Sequence, residues 1–285
     1  MNLILQGLTV ERHTIDRIAA LAGATGIVAV SATAFRCEGA TLSADIKAAV
    51  DAACLAAQLD YAFVESSLQM SDFKLLAMDM DSTLITIECI DEIADMHGLK
   101  PQVSAITEAA MRGEIAFNDS LTRRVALLAG LDASALQRVF DERMQLSLGA
   151  EKMLAAVKAA GLKTLLVSGG FTFFTERIKQ QLGLDYAHAN VLEIIDGKLT
   201  GRVVGDIVNA EEKKLTVARL CAELGTTPAT AIVMGDGAND LQMMGIAGMS
   251  VAFRAKPVVR AQADVALNFV GLDGLVNLFG GLHAS

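Results

Sequence analysis

The chain has 285 residues, of which 53% are hydrophobic and 20% charged, with only 3 prolines. This length and composition suit a protein with room for two cores and exclude a disordered chain. Its 33 acidic residues against 24 basic ones leave a net charge of -9, which argues against nucleic acid or an anionic membrane surface as partner. A small anionic substrate would need local cations or a metal to overcome that field.

Residues 1–70 read as a unit of their own. A short strand over 3–5 is followed by a helix over 14–22, β structure over 27–35, a helix over 44–59 and a strand over 61–64. That βαβαβ-like order predicts a small α+β layer. The uncharged stretch over 18–35 approaches membrane-spanning length, but Gly23 and Gly26 break it into a helix end, a turn and a strand. The first residues lack the basic region and cleavage site of a signal peptide, so the expected location is the cytoplasm. The four cysteines, Cys37, Cys54, Cys89 and Cys221, form no CxxC pair and read as small buried hydrophobes.

After Glu65-Ser66-Ser67 the pattern changes, and residues 71–285 read as a second unit. Buried-strand runs over 73–80, 164–167 and 231–234, the last two separated by helical segments, have the rhythm of an open α/β sheet. Between the first and second runs, about residues 90–148 are dominated by helix formers and predict a helical cap.

Each strand run ends in a polar cluster. The first gives Asp79-Met80-Asp81-Ser82-Thr83, the second Ser168-Gly169-Gly170, and the third Gly235-Asp236-Gly237-Ala238-Asn239-Asp240. Ligands of open parallel sheets bind outside the carboxyl ends of the strands, so these three clusters are expected to share one crevice. Asp79, Asp81, Asp236 and Asp240 would then concentrate negative charge that calls for a cation. Oxygen-only ligands favour a hard ion such as Mg2+. Ser168 and the N–H groups of Gly169 and Gly170, with a helix N-terminus behind them, would suit phosphate oxygens. Singly, each cluster has an ordinary explanation as a turn, a flexible loop or a hairpin. Together, at strand ends, they point to phosphate chemistry.

These clusters, with a downstream lysine, resemble the four motifs of the haloacid dehalogenase superfamily over residues 73 to 268, and most closely its phosphoserine phosphatases. The resemblance implies a Rossmann-like parallel-sheet core, a helical cap, Mg2+, and hydrolysis of O-phosphoserine through an aspartyl-phosphate, the last step of serine synthesis. It makes Asp79 the nucleophile and Asp81 the acid and base. It assigns the metal to Asp79, the backbone carbonyl of Asp81, and Asp236. Ser168 and Gly169 would hold phosphate, and Asn239 phosphate or substrate. The phosphate lysine is Lys213 or Lys214, with the pattern through Thr216 and Arg219-Leu220 favouring Lys213. Glu88 resembles the residue that holds the substrate amino group. Arg124 resembles the one that grips its carboxylate, with Arg123 as rival; a guanidinium fork suits a carboxylate.

By element order the first unit is similar to an ACT-type amino-acid-binding domain, which makes a homodimer through it one expectation. Two alternatives stay open: a phosphatase or phosphotransferase acting on another small phosphate such as phosphohomoserine, and a non-catalytic amino-acid sensor. His13, His97, His188 and His283 share no metal or triad spacing, and Met243-Met244 reads as core.

Overall fold

The computed structural model describes residues 1–280, so His283 lies outside the described residues. Two sheets organise the chain. The first comprises β1 (Asn2–Gln6), β2 (Gly26–Ser31), β3 (Ala34–Glu38) and β4 (Asp60–Val64), with α1 (Arg12–Leu21) between β1 and β2 and α2 (Ala44–Ala57) between β3 and β4. The strand order is β2-β3-β1-β4, and all the pairings are antiparallel. This corrects the βαβαβ reading: the β stretch over 27–35 is a hairpin, and the order is the βαββαβ of split-βαβ folds. The turn at Ala32-Thr33 carries no Gly, Pro or Asn to mark it.

Strand alternation explains how this sheet is held. Leu3 and Leu5 point to Ile15 and Ile18 of α1 and to Val50 and Cys54 of α2, while Ile4, Ala62 and Val64 face the other way into the core of the second sheet. Asp60, at the head of β4, accepts hydrogen bonds from the amides of Asn268, Phe269 and Val270 at 2.8, 2.9 and 2.9 Å. Gln6 donates to the Gly274 carbonyl and accepts from Asn277. The two sheets are therefore pinned by polar contacts as well as by shared apolar packing.

The second sheet has seven strands: β5 (Leu75–Met78), β6 (Lys163–Phe171), β7 (Tyr186–Ile195), β8 (Lys198–Val204), β9 (Ala231–Gly235), β10 (Met249–Phe253) and β11 (Val265–Leu267). Their order is β11-β10-β9-β5-β6-β7-β8, parallel except for the β7–β8 hairpin at one edge. The sequence reading found only β5, β6 and β9, the central three. On β5, Leu76 and Met78 enter one core, and Leu75 and Ala77 the other. A strand buried on both faces reads as the unbroken apolar run seen in the sequence.

Between β5 and β6 lie α3 (Cys89–Asp95), α4 (Lys100–Met111), α5 (Phe117–Ala126) and α6 (Ser134–Glu142), which form the helical cap, then α7 (Ala150–Ala159). The chain enters and leaves the cap through two adjacent extended segments, where Thr86 N donates to Gln145 O and Ser147 N to Leu84 O. Beyond β6 run α8 (Thr172–Leu182) and, after β8, α9 (Ala210–Glu223). Met243 and Met244 are buried in the core, as are all four cysteines. Among the described residues no helix is long and apolar enough to cross a membrane.

Candidate active site

The register of the central strands sets the site. Met78 pairs with Met234 on one side and with Leu166 on the other, so β5 and β9 finish at the level where β6 enters its Ser168 cluster. The three polar clusters follow at that level. Carboxylate oxygens of Asp79, Asp236 and Asp240 lie within 4.8 Å of one another.

Lys213, in the first turn of α9, has no exposed side-chain surface; its Nζ is 2.8 Å from Asp79 Oδ2 and 2.8 Å from Asp240 Oδ1. Its neighbour Lys214 lies on another side of the helix and is half-buried. Burial opposes the charge on Lys213, but Asp240 and Asp79 outweigh it and hold the ammonium above its ordinary range. Asp240 also accepts from the amides of Asp236 and Gly237 through Oδ2, so both its oxygens serve the scaffold. The close approach needs Gly235 to be glycine: a Cβ there would strike the Asp240 carboxylate.

Asp79 accepts from Met80 N at 2.7 Å, and Asp236 accepts from Thr83 Oγ1 at 3.2 Å. Three acids facing one lysine leave excess negative charge. Burial and the charge of Asp240 raise Asp79 well above the usual carboxyl range, and the same two causes push Asp236 up to about 6. An all-oxygen donor set with surplus negative charge fits a hard divalent cation, and with both Asp240 oxygens engaged the carboxylates left to offer it are those of Asp79 and Asp236. The Asp81 side chain lies outside this cluster, so any part of Asp81 in holding a metal falls to its carbonyl.

Asp81 turns toward Cys89 N, 3.0 Å away, and Ser168 Oγ, 3.5 Å away. Burial and the nearby Glu88 charge push its carboxyl up to about 7, near the value that serves best for proton donation followed by proton removal at neutral pH. The turn that carries it is strained, with Ser82 at φ 55°, a region costly for a residue with a Cβ. The Ser82 hydroxyl donates to Glu88 Oε1 at 2.7 Å, which ties Glu88, just before α3, to the floor of the site.

Ser168, Gly169 and Gly170 lie within a strand and not after its end. They are a bulge inside β6, where Val167 pairs with His188 but Phe171 already pairs with Asn190. The helix behind them begins at Thr172. Ser168 is buried and its Oγ accepts from Gly170 N at 2.8 Å. A Cβ on Gly170 would come within 2.6 Å of Asp81 Oδ2, so only glycine lets these two segments approach. Asn239 is half-buried in the turn after β9, its side chain against Gly237.

From the cap, α5 presents Arg124 half-buried while Arg123 is exposed. Burial lowers the Arg124 pKa against the pull of Asp91, Glu88 and Asp81, and its buried Nε has no hydrogen-bond partner among the described residues. A buried guanidinium with a spare donor beside acidic side chains is a ready receptor for an anion that comes with its own cation. Sequence reasoning gave no role to Ser82 and Thr83 and counted Asp240 only as one of the clustered carboxylates. All three lie inside the quoted motifs, where their spacing was the only signal. Among the described residues no histidine joins the carboxylate cluster.

A model of the haloacid dehalogenase-like hydrolases matches residues 73–248, and one of a domain of unknown function, DUF4072, matches residues 3–46. A phosphoserine phosphatase of Polaromonas is 58% identical over 216 residues, 74% of this chain and 92% of that protein. Among solved structures, a family hydrolase of Salmonella enterica superposes with a TM-score of 0.88 at 35% identity, covering 98% of both chains. A phosphoserine phosphatase solved as an analogue of its phospho-aspartyl intermediate superposes with a TM-score of 0.68 at 38% identity, covering 72% of this chain and 98% of that one. The chain belongs to the haloacid dehalogenase-like hydrolases.

Proposed function

We propose that the chain is a Mg2+-dependent phosphoserine phosphatase acting in the cytoplasm, which hydrolyses O-phosphoserine through an aspartyl-phosphate and supplies serine as the last step of its synthesis. The observation that carries this reading is the pairing of Asp79 with buried Lys213 at the foot of a crevice whose cap offers Arg124 with an unpartnered Nε. One end of the crevice suits a phosphoryl group, the other a carboxylate, and Glu88 offers an anion for an ammonium. The Polaromonas relative is named a phosphoserine phosphatase, and a second relative was solved as an analogue of its phospho-aspartyl intermediate.

In this reading Asp79 attacks phosphorus and Asp81 protonates the leaving serine oxygen, then takes a proton from the water that hydrolyses the aspartyl-phosphate. Lys213, Ser168 Oγ and Gly169 N hold the phosphoryl oxygens, with Asn239 at the rim. Mg2+, held by Asp79, Asp236 and the Asp81 carbonyl, would supply charge neutralisation. Glu88 and Arg124 read the amino and carboxylate groups. The unbroken set of Asp79, Asp81, Ser168, Lys213 and Asp236 speaks against a non-catalytic sensor.

The division at about residue 70 into an ACT-like layer and a phosphatase unit belongs to the same proposal, supported by the two separate sheets. So does a homodimer through the first layer, whose β2 leaves an open sheet edge. The test of function is phosphate release from a panel of phosphorylated metabolites, with Mg2+ and after chelation. O-phosphoserine is expected to lead the panel and the activity to vanish with EDTA. A better substrate lacking a carboxylate, or activity surviving exhaustive chelation, refutes the reading.

A further inference from the structure

Two asparagines outside the motifs join the three parts of the crevice. Asn190 on β7 is 1% exposed. Its Nδ2 donates to the Gly169 carbonyl at 2.7 Å, and its Oδ1 accepts from Val208 N at 2.8 Å. It thereby ties the Ser168 bulge to the segment that leads into α9. The next residue, Asn209, is the N-cap of α9: its Oδ1 accepts from the amides of Glu211 and Glu212, both at 3.1 Å. An N-cap fixes the start of a helix, and here the first turn of that helix carries Lys213.

Asn209 has a second task. Its Nδ2 donates to Asn118 Oδ1 of the cap at 3.2 Å. Asn118 lies in the first turn of α5, the cap helix that carries Arg124 further along. Beside it, Phe117 Cζ stands 3.1 Å from where a Cβ of Gly169 would sit. Cap and core thus meet at two adjacent places, one apolar and one polar. The polar one joins the helix bearing the carboxylate receptor to the helix bearing the phosphate lysine.

We propose that the Asn118–Asn209 hydrogen bond is a latch that sets the distance between Arg124 and Lys213, and so determines which length of phosphorylated amino acid the site accepts. The inference rests on the function proposed above. A cap free to shift along the crevice would let Arg124 reach the carboxylate of a substrate longer by one methylene. A latched cap holds the receptor at one separation and rejects it. Asn118 and Asn209 are positioning residues, since neither has been placed against substrate.

The test is a charge cycle that preserves both helix starts, because Asp is as good an N-cap as Asn and is favourable in a first helical turn. Asn118→Asp keeps an acceptor for Asn209 Nδ2. Asn209→Asp still caps α9 and can accept from the Asn118 amide once that amide turns over. The double variant Asn118→Asp/Asn209→Asp sets carboxylate against carboxylate and opens the latch. The readouts are kcat and KM for O-phosphoserine, for O-phosphohomoserine and for p-nitrophenyl phosphate, which has no carboxylate.

The preference for O-phosphoserine over its longer homologue, as a ratio of kcat/KM, is expected to fall about 3- to 10-fold in the double variant, mainly through KM, the range for losing one exposed hydrogen bond and gaining a like-charge contact. Each single variant should stay within about twofold of the parent, and p-nitrophenyl phosphate turnover should hold in all three. An unchanged preference in the double variant overturns the latch. So do single variants that each lose as much as the double, or a parallel loss with p-nitrophenyl phosphate, which would mean damage to the Lys213 helix. A parent chain inactive on O-phosphoserine but active on other phosphates instead sinks the reading of function beneath it.

Discussion

Lys213→Met is the substitution from which the structure predicts most. It keeps the apolar stem and removes the one ammonium that touches both Asp79 and Asp240, each at 2.8 Å in a fully buried setting. Removing one partner of a buried ion pair costs about 3–5 kcal/mol because the remaining charge is left uncompensated. Here two carboxylates are left, with the Asp236 carboxylate within 4.8 Å of them. The cost depends on pH. Burial and Asp240 hold the folded-state pKa of Asp79 above its ordinary value even with the lysine present, and the substitution raises it further. A carboxyl with a raised folded pKa contributes its stability fully below its unfolded pKa and loses it as pH climbs through the folded one. The deficit of the variant is therefore largest in mildly alkaline buffer and shrinks in acid. Urea unfolding of parent and variant in EDTA, at about pH 8 and about pH 5, measures both. A deficit of about 3–5 kcal/mol at the higher pH, smaller by 1 kcal/mol or more at the lower, is expected. Added Mg2+ should recover part of it at the higher pH. A deficit below about 1 kcal/mol, or one equal at both pH values, would refute the account of Lys213 as the counter-charge of this cluster.

Asp79→Asn should lower turnover by about 10^4-fold or more and abolish any acid-trapped phosphoenzyme; a labelled phosphoenzyme persisting in the variant would move the nucleophile elsewhere. Arg124→Ala should raise KM for O-phosphoserine roughly 10- to 100-fold, the worth of hydrogen bonds to a charged group, while leaving p-nitrophenyl phosphate nearly unaffected; equal losses on both substrates would count against Arg124 as the carboxylate receptor. Asp60→Ala strands the amides of Asn268, Phe269 and Val270, and should cost about 3 kcal/mol or more in denaturant unfolding; a change within about 0.5 kcal/mol, as at an ordinary surface site, would show that these contacts do not hold the two sheets together.

Much of the site was legible because its chemistry is written locally. Asp79 and Asp81, Ser168 to Gly170, and Asp236 to Asp240 each follow an unbroken apolar run, and a strand buried on both faces announces itself in that way. The other strands did not. β7 and β8 alternate irregularly, β11 has three residues, β10 carries a serine inside its buried run, and the β2–β3 hairpin turns without a glycine or proline.

Packing places neighbours differently where spacing could not distinguish them. Lys213 and Lys214, or Arg123 and Arg124, are the same residue type one step apart, and successive positions on a helix point about 100° apart. Only the seating of α9 against the sheet brings Lys213 to Asp79, and only the seating of α5 half-buries Arg124. Likewise, the residue types of Asp240 and Asn209 advertise a carboxylate and a helix cap. That one is consumed by Lys213 and two backbone amides, and that the other also spans to the cap, depends on surfaces distant in sequence meeting in space. Residue type and short-range spacing determined which polar groups follow the strands; the docking of helices onto a sheet decided which side chains meet there, because direction and burial are properties of the packed whole.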